Sequence, residues 1–209
     1  MSSGEEQRFC LIAGLGNPGS EYSRTRHNAG FMMIDAIEKS LSGKFIERKI
    51  RGGILKEGRC RGGRLWLVKP MTYMNLSGDC ILSFMTGNNI GAESFLLIYD
   101  DMDLPLGRIR FCMGGGSAGH KGVESVIERI GSADFSRLRI GIGRKSDNPD
   151  KKDYVLSEFE EQESELFLKV IDMAADAVKL LLHRGIEKAM NEYNGRIVGG
   201  DADGANDDK

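Results

Sequence analysis

The sequence has no apolar run that approaches the roughly 20 residues required by a membrane-spanning helix. Its first seven residues are polar and include Glu5 and Glu6, so they lack the apolar core of a secretion signal. The four cysteines are scattered and form no Cys-x-x-Cys pair, a pattern that disfavours a metal or redox centre and favours a reducing compartment. We therefore expect a cytoplasmic protein that has no membrane anchor, no metal and no cofactor.

The composition is that of an ordinary globular protein, with 209 residues of which 40% are hydrophobic and 29% charged. The formal net charge is -2, but residues 8–200 carry 28 basic and 25 acidic side chains. This balance permits a nucleic-acid partner if the basic residues cluster, and does not demand one. On the predicted strands, Arg108 alternates with Arg110, and Arg137 with Arg139, so each pair shares a face. Either pair could contact phosphates or lie on a solvated strand face.

Short apolar segments alternate with amphipathic ones along the chain. Phe9–Leu15, Leu65–Val68 and Phe95–Tyr99 are typical of buried strands. Helices are expected between them, the first capped by Asn28 and the second closed by Gly87. This alternation predicts a single α/β domain over residues 8–194, with a twisted, mixed and largely parallel central sheet and helices on both faces. Residues 1–7 and 195–209 are predicted to be flexible termini.

Polar side chains follow the three buried strands at the point where each strand ends. They are Asn17, Asn75 and Asp100, and His27 opens the helix after the first strand. Ligands of such sheets bind outside the carboxyl ends of the strands, so we expect these four side chains to share one edge. A capping or core histidine is the structural alternative for His27.

A paired His27 and Asp100 would suit hydrolysis by water. Histidine has an unperturbed pKa near working pH, and an aspartate that accepts from one ring nitrogen fixes the tautomer and favours the protonated ring. Asn17 and Asn75 can hold a peptide-like group without adding charge. Direct attack of water on an ester carbonyl would need neither a metal nor an acyl-enzyme.

Two other motifs compete for the chemistry. Gly14-Leu-Gly-Asn-Pro-Gly19 matches a dinucleotide fingerprint in spelling, but Pro18 and a polar stretch separate it from the following helix. Gly115-Gly-Ser-Ala-Gly119 matches a nucleophile elbow centred on Ser117, for which His183 is the only downstream histidine outside the loop. A flexible loop that admits a substrate to the backbone is the structural alternative for that glycine-rich segment.

Several longer motifs, in one order from about Arg8 to Asn194, resemble those of bacterial-type peptidyl-tRNA hydrolases. The motifs are Gly14-Leu-Gly-Asn-Pro-Gly19, Tyr22-Ser-Arg-Thr-Arg-His-Asn-Ala-Gly30, Met74-Asn-Leu-Ser-Gly78, Asp100-Asp-Met-Asp-Leu-Pro105, Gly119-His-Lys-Gly122 and Arg137-Leu-Arg-Ile-Gly-Ile-Gly143. The resemblance implies a monomeric α/β enzyme that cleaves the ester joining a peptide to the 3′ end of tRNA.

The resemblance also implies roles for individual residues. His27 would activate water with Asp100 as its partner, and residues 144–157 would form a mobile lid. The other implied substrate contacts are Asn17 and Asn75 for the peptide, Tyr22 for the tRNA 3′ end, and Tyr73 and Met74 for the channel. A non-catalytic RNA-binding protein on the same fold is an alternative, against which the complete set of His27, Asp100, Asn17 and Asn75 argues.

The chain departs from the family pattern at two positions. Lys121 stands where the family usually carries asparagine, and its ammonium could stabilise an oxyanion, contact a phosphate or point to solvent. Cys112 interrupts the basic residues expected on the strand after Leu104-Pro-Leu-Gly107. Arg108, Arg110 and Arg139 remain as predicted contacts to tRNA phosphates.

Overall fold

The computed structural model describes residues 9–61, 63–144 and 150–199. Within these ranges the chain forms seven strands and six α-helices. The strands are β1 (Leu11–Gly14), β2 (Ile46–Ile50), β3 (Gly53–Cys60), β4 (Gly63–Pro70), β5 (Phe95–Asp101), β6 (Ile109–Met113) and β7 (Ser136–Gly141). The helices are α1 (Ala29–Ser40), α2 (Ser77–Asn88), α3 (Lys121–Ile130), α4 (Lys151–Leu156), α5 (Glu161–Arg184) and α6 (Ile186–Tyr193).

All seven strands form one mixed sheet in the order β2-β3-β4-β1-β5-β7-β6. The four central strands, β4, β1, β5 and β7, run parallel. Strands β3 and β6 pair antiparallel with β4 and β7, and β2 pairs antiparallel with β3 at the other edge of β3. The carboxyl ends of the parallel strands therefore share one edge of the sheet. The predicted α/β fold with a mixed central sheet is confirmed.

Helices cover both faces of the sheet because the central strands are apolar on both sides. One buried cluster joins α1, α5 and α6 to residues such as Ile12 and Ile98. The other joins α2 and α3 to residues such as Ala13 and Leu97. Neighbouring residues of β1 and β5 thus point to opposite clusters, as the alternation of side chains along a strand requires. Of the helices in the described residues, none has both the length and the apolar character needed to cross a bilayer.

The start of α1 lies unusually close to the ends of β1 and β5. A Cβ atom on Gly30 would lie 2.5 Å from the Leu15 carbonyl oxygen and 2.6 Å from that of Ile98. Only glycine permits this approach, because the obstructing atoms are backbone atoms that cannot rotate away. The close contact holds the turn just before α1, which carries His27, at the carboxyl edge of the sheet.

Two helices differ from the sequence prediction. Helix α2 continues through Gly87 to Asn88 and ends where Asn89 adopts a left-handed conformation with φ 53°, so the predicted stop at Gly87 was wrong. Asparagine tolerates this conformation because its short polar side chain adds little steric cost. Helix α4 was not predicted, because residues 148–152 were interpreted as a polar connector. Its six residues bury only Tyr154 and give too little periodicity for detection.

The predicted domain limits remain predictions, since residues 1–8 and 200–209 lie outside the described residues. Near the carboxyl end, the Val198 backbone N–H donates to the Gly107 carbonyl oxygen at 2.8 Å. The side chain of Asn194 pairs with both backbone groups of Phe111, at 2.7 and 2.9 Å. The Asn194 contacts satisfy backbone groups of the edge strand β6 that would otherwise be open to another chain, and the Val198 contact lies just before that strand.

Candidate active site

His27 and Asp100 meet at the carboxyl edge of the sheet. His27 lies in a single 3₁₀ turn, Arg26–Asn28, and Asp100 lies near the end of β5. The Nδ1 atom of His27 is 2.9 Å from Oδ1 and 3.1 Å from Oδ2 of Asp100, a carboxylate that is only 2% exposed. Because Nδ1–H donates to the ionised carboxylate, Nε2 of His27 is left as the proton acceptor. The sequence placed both residues at this edge, and the structure brings them into contact.

His120 is a third member of this cluster that the sequence analysis did not identify. Its Nε2 lies 3.1 Å from Asp100 Oδ1, and its ring centroid lies 4.9 Å from that of His27. The Nδ1 atom accepts backbone N–H groups from Gly122 and Val123 at the start of α3. A ring nitrogen that accepts two N–H groups carries no proton, so His120 must donate through Nε2. The carboxylate of Asp100 thus accepts from two histidines.

The charge on Asp100 determines the protonation of the cluster. Burial alone would raise the pKa of Asp100, but the two histidines outweigh burial and hold that pKa well below its usual range. For His27, burial alone would lower the pKa, and the charge and hydrogen bond of Asp100 outweigh it, so the pKa of His27 is raised above 6.5. Asp100 therefore stays ionised while His27 takes up and releases a proton.

The same three side chains have the donor types of a metal site, since one potential ligand atom from each lies within 4.8 Å of the others. A cation there would need an unprotonated Nε2 on His120. Its Nδ1 already accepts two backbone N–H groups, so the ring would have to bind the metal as an imidazolate. The arrangement therefore fits two hydrogen bonds to a shared carboxylate better than it fits a metal.

Asn28 and Asn17 form a second polar cluster beside His27. The side chain of Asn28 pairs with both backbone groups of Asn17, at 2.9 and 3.0 Å. Asn28 occupies the predicted N-cap position of α1, but the capping hydrogen bond predicted for its side chain is not formed. The Met74 N–H donates to Asn17 Oδ1 at 2.9 Å, so the amide of Asn17 is oriented with Nδ2 free to donate to a ligand.

The other predicted substrate contacts lie around these clusters. Asn75 is exposed in the turn Met74–Leu76, next to the backbone group that orients Asn17. Tyr73 is 63% exposed, whereas Met74 is 5% exposed and packs beneath Gly122 of α3. Tyr22 is half-buried in the polar loop before His27. Met74 therefore supports Asn17 through its backbone, and only its neighbours present side chains to solvent.

A cavity of about 430 Å³ opens beside the histidine–aspartate cluster. Its lining includes the loop Gly114–Gly119, three residues of α4 (Lys151, Lys152 and Val155), and the cluster residues His27, Asp100 and His120. Lys121 and Arg139 also line the cavity, whereas the predicted residues around Asn17 and Asn75 do not. The cavity and the amide groups of Asn17 and Asn75 are therefore distinct parts of the candidate site.

The predicted phosphate contacts lie on β6 and β7 and the segment before them. Arg110 and Arg139 are directly opposite each other in the antiparallel pair, so their side chains lie on one face of the sheet, a pairing that the sequence analysis did not predict. Arg139 is ion-paired with Asp101, and Arg110 is exposed at the sheet edge. Arg108 is half-buried and precedes β6. Lys121 points toward solvent, with 69% of its side chain exposed and an ion pair to Glu124 at 2.9 Å.

Neither competing motif gains support from the geometry. After Gly19 the chain makes two 3₁₀ turns before α1 begins at Ala29, so no helix N-terminus follows the fingerprint directly. Ser117 Oγ accepts the N–H of Gly119 at 3.2 Å. His183 lies in the last turn of α5, and its carbonyl oxygen accepts from Arg61 in the turn before β4. Ser117 lines the cavity beside the histidine–aspartate cluster, and His183 does not.

Comparisons with known proteins agree on one family. The family model described as peptidyl-tRNA hydrolase matches residues 11–200. The peptidyl-tRNA hydrolase of Gloeobacter violaceus is 43% identical over 92% of this chain and 98% of its own length, and that of Bacillus subtilis is 40% identical over 90% and 100%. The crystal structure of peptidyl-tRNA hydrolase from Acinetobacter baumannii is 36% identical, with a TM-score of 0.85 over 93% of this chain and 99% of the other.

Proposed function

Because the chain belongs to the peptidyl-tRNA hydrolase family, we propose that it cleaves the ester bond between a peptide and the 3′ end of tRNA, with His27 as the general base. The observation that carries the mechanism is the contact between His27 and the buried, ionised Asp100. This contact leaves Nε2 of His27 as a proton acceptor beside an open cavity.

The reaction we propose needs no covalent intermediate. A water oxygen attacks the ester carbonyl carbon while His27 Nε2 accepts one of its protons. The negative charge of Asp100 stabilises the imidazolium that forms. When the tetrahedral intermediate collapses, the bond to the ribose oxygen breaks and His27 returns the proton to that oxygen. The products are a free peptide and deacylated tRNA.

The amide cluster is proposed to hold the peptide. Asn17 is buried, and its Oδ1 is occupied by the Met74 N–H, so its Nδ2 can donate to a carbonyl of the substrate. Asn75 and Tyr73 are exposed on the same loop and provide further peptide contacts, while Tyr22 is assigned to the tRNA 3′ end. The ion pair of Lys121 with Glu124 favours a role at the rim of the cavity over direct stabilisation of an oxyanion.

The tRNA body is proposed to lie along the basic residues of β6, β7 and the segment before β6. Arg108, Arg110 and Arg139 are the assigned phosphate contacts, and the cross-strand pairing of Arg110 with Arg139 supports a shared anionic ligand. Recognition through the backbone suits an enzyme that must accept many tRNA sequences. We further propose that the protein acts as a cytoplasmic monomer, a setting consistent with its four free thiols.

The test is release of peptide from an N-blocked aminoacyl-tRNA by the wild-type protein, His27→Ala and Ser117→Ala. We expect His27→Ala to lose activity while it still binds tRNA, and Ser117→Ala to retain activity. Loss in Ser117→Ala with retention in His27→Ala would replace the mechanism with an acyl-enzyme. Binding of tRNA by a wild-type protein that hydrolyses nothing would assign the chain to the RNA-binding alternative.

A further inference from the structure

Most of the cationic side chains around the cavity are already occupied by the chain itself. Six lysines and arginines line the cavity. Arg137 is buried and donates to the carbonyl oxygens of Gly115, Gly116 and Ala133. Three others form ion pairs, namely Arg139 with Asp101, Arg144 with Asp103 and Lys121 with Glu124. A cation that faces a carboxylate of its own chain attracts a further anion less strongly.

The remaining two cations are Lys151 and Lys152, the first two residues of α4. Both side chains are exposed at the cavity wall, and neither has an ion pair or side-chain hydrogen bond within the described residues. They line the same cavity as the loop Gly114–Gly119. A Cβ atom on Gly116 or Gly119 would meet nothing within 4 Å, so the loop is not packed against other atoms at these two positions.

A buried arginine fixes α4 to the turn that carries His27. Arg26 is 2% exposed and lies between the rings of Tyr154 and Phe159, with its guanidinium carbon 4.6 and 4.9 Å from their centroids. It donates to Ser157 Oγ at 2.7 Å and forms an ion pair with Glu163. Planar stacking and several directed donors are contacts that a lysine could not reproduce at this position.

A second anchor ties α4 to the central sheet. The Tyr154 hydroxyl donates to the carbonyl oxygen of Ile142, just beyond the end of β7, at 2.8 Å. The backbone N–H of Arg26 also donates to the Ser157 carbonyl oxygen at 3.1 Å. The backbone that carries Lys151 and Lys152 is therefore held at a fixed distance from His27.

We propose that Lys151 and Lys152 form a phosphate-binding pair that holds a phosphate of the tRNA acceptor end at the cavity that they line together with the loop Gly114–Gly119. This inference rests on the proposed function. Two ammonium groups that have no ion pair within the described residues, on a fixed backbone, suit the diffuse charge of a phosphate, and the unobstructed Cβ positions of Gly116 and Gly119 leave room for an RNA strand. The pair belongs to α4, whereas the predicted arginine contacts belong to β6, β7 and the segment before β6, so it is an additional contact to the substrate.

Counterion release gives the expected size of the effect. Each phosphate neutralised on a single strand contributes a slope of about -0.7 to log K against log salt concentration. Because the pair binds one phosphate, replacing both lysines with glutamine should reduce that slope by about 0.7 in magnitude. At low salt we expect the KM for tRNA substrates to rise on the order of tenfold with little change in kcat.

The experiment compares K151Q/K152Q with wild type on two substrates, an N-blocked aminoacyl-tRNA and an N-blocked aminoacyl ester of adenosine, which has no phosphate. KM should rise and the salt slope should fall for the tRNA, while the adenosine ester should be unaffected. K151R/K152R keeps both positive charges, so its KM and salt slope for the tRNA should equal those of the wild type. The matched control is K169Q/K188Q, which removes two exposed lysines from α5 and α6 and should behave as wild type.

Three outcomes would overturn the inference. They are an unchanged salt slope in K151Q/K152Q, a change equal to that of K169Q/K188Q, or a lower kcat on both substrates at unchanged KM. The dissociation constant of deacylated tRNA, measured against salt with the same variants, separates the two proposals. If the wild type binds tRNA without hydrolysing any ester, the proposed function fails while the phosphate pair can still be confirmed or refuted from the slope.

Discussion

Replacement of Asp100 with asparagine isolates the effect of its charge on His27. In the wild type, Oδ1 of Asp100 accepts from His27 at 2.9 Å and from His120 at 3.1 Å. His120 can only donate at this point, because its Nδ1 accepts two backbone N–H groups. The amide oxygen of the variant should therefore occupy the Oδ1 position, and His27 should keep its proton on Nδ1. The substitution removes the charge and preserves the tautomer.

The magnitude follows from the attraction that is lost. Unit charges about 4 Å apart attract by about 4 kcal/mol at an effective dielectric constant of about 20. With the proton about half transferred in the transition state, roughly 2 kcal/mol of this is lost, which corresponds to a fall in kcat of about 30-fold. The pKa of His27 should also fall, since burial, which lowers it, remains and the charge of Asp100, which raises it, is gone.

The pH profile shows both effects at once. His27 must be neutral to act as a base, so kcat/KM rises with pH through the pKa of His27. For the wild type this rise should lie above pH 6.5, and for Asp100→Asn it should lie below the wild-type position, with a plateau about 30-fold lower. The assay is peptide release from N-blocked aminoacyl-tRNA between about pH 5 and about pH 9. Asp172→Asn, which removes an exposed charge from α5, is the control.

The reasoning is refuted if Asp100→Asn lowers the plateau but leaves the pH of the rise unchanged or moves it upward. Either result would mean that the charge of Asp100 does not set the protonation of His27. A plateau lowered as far as in His27→Ala would instead show that the amide has reversed and placed its protons against His27, because that tautomer lacks an acceptor at Nε2. The size of the loss therefore distinguishes lost charge from lost tautomer.

Three further substitutions test the supporting structure. His120→Ala removes a hydrogen-bond donor to Asp100, so we expect kcat in the peptide-release assay to fall about tenfold. It also removes the cap of α3, so the free energy of unfolding in urea should fall by about 1 kcal/mol. Asn28→Ala removes two hydrogen bonds to Asn17, so the free energy of unfolding measured in urea should fall by about 2 kcal/mol and KM should rise. Gly30→Ala should lower the free energy of unfolding by about 3 kcal/mol or more in the same measurement, because the added Cβ would meet backbone atoms. The control Gly116→Ala should leave it almost unchanged, because a Cβ there meets nothing within 4 Å.

The sequence allowed prediction of the sheet and of the edge where the site lies. Apolar strands of four to eight residues are easily recognised, and parallel strands must end at one edge, so Asn17 and Asp100 could be placed near each other before any coordinates were known. The contact of His27 with Asp100 could be predicted for the same reason, because the loop that follows β1 must lie at the carboxyl edge of the sheet, where β5 also ends. These predictions depend on local pattern and topology alone.

The contacts of His120 and Asn28 could not be predicted in this way. Both residues stand at the start of a helix, where a polar side chain usually serves the helix backbone. His120 does so and also contacts Asp100, whereas Asn28 pairs with Asn17 instead. Which partner is chosen depends on how closely each helix packs against the sheet, a tertiary quantity. The signal available in the sequence was that His120 lies in Gly119-His-Lys-Gly122, one of the motifs that carried the family resemblance.

Three consecutive residues connect the separate parts of the site. Arg26, His27 and Asn28 form one 3₁₀ turn, and a helix of three residues per turn directs successive side chains about 120° apart. Arg26 therefore reaches α4, His27 reaches Asp100, and Asn28 reaches Asn17. In an α-helical turn successive side chains would be about 100° apart, so three neighbours would be spread less evenly around the axis. The position of the general base is consequently coupled to both substrate surfaces, the cavity wall through Arg26 and the amide cluster through Asn28.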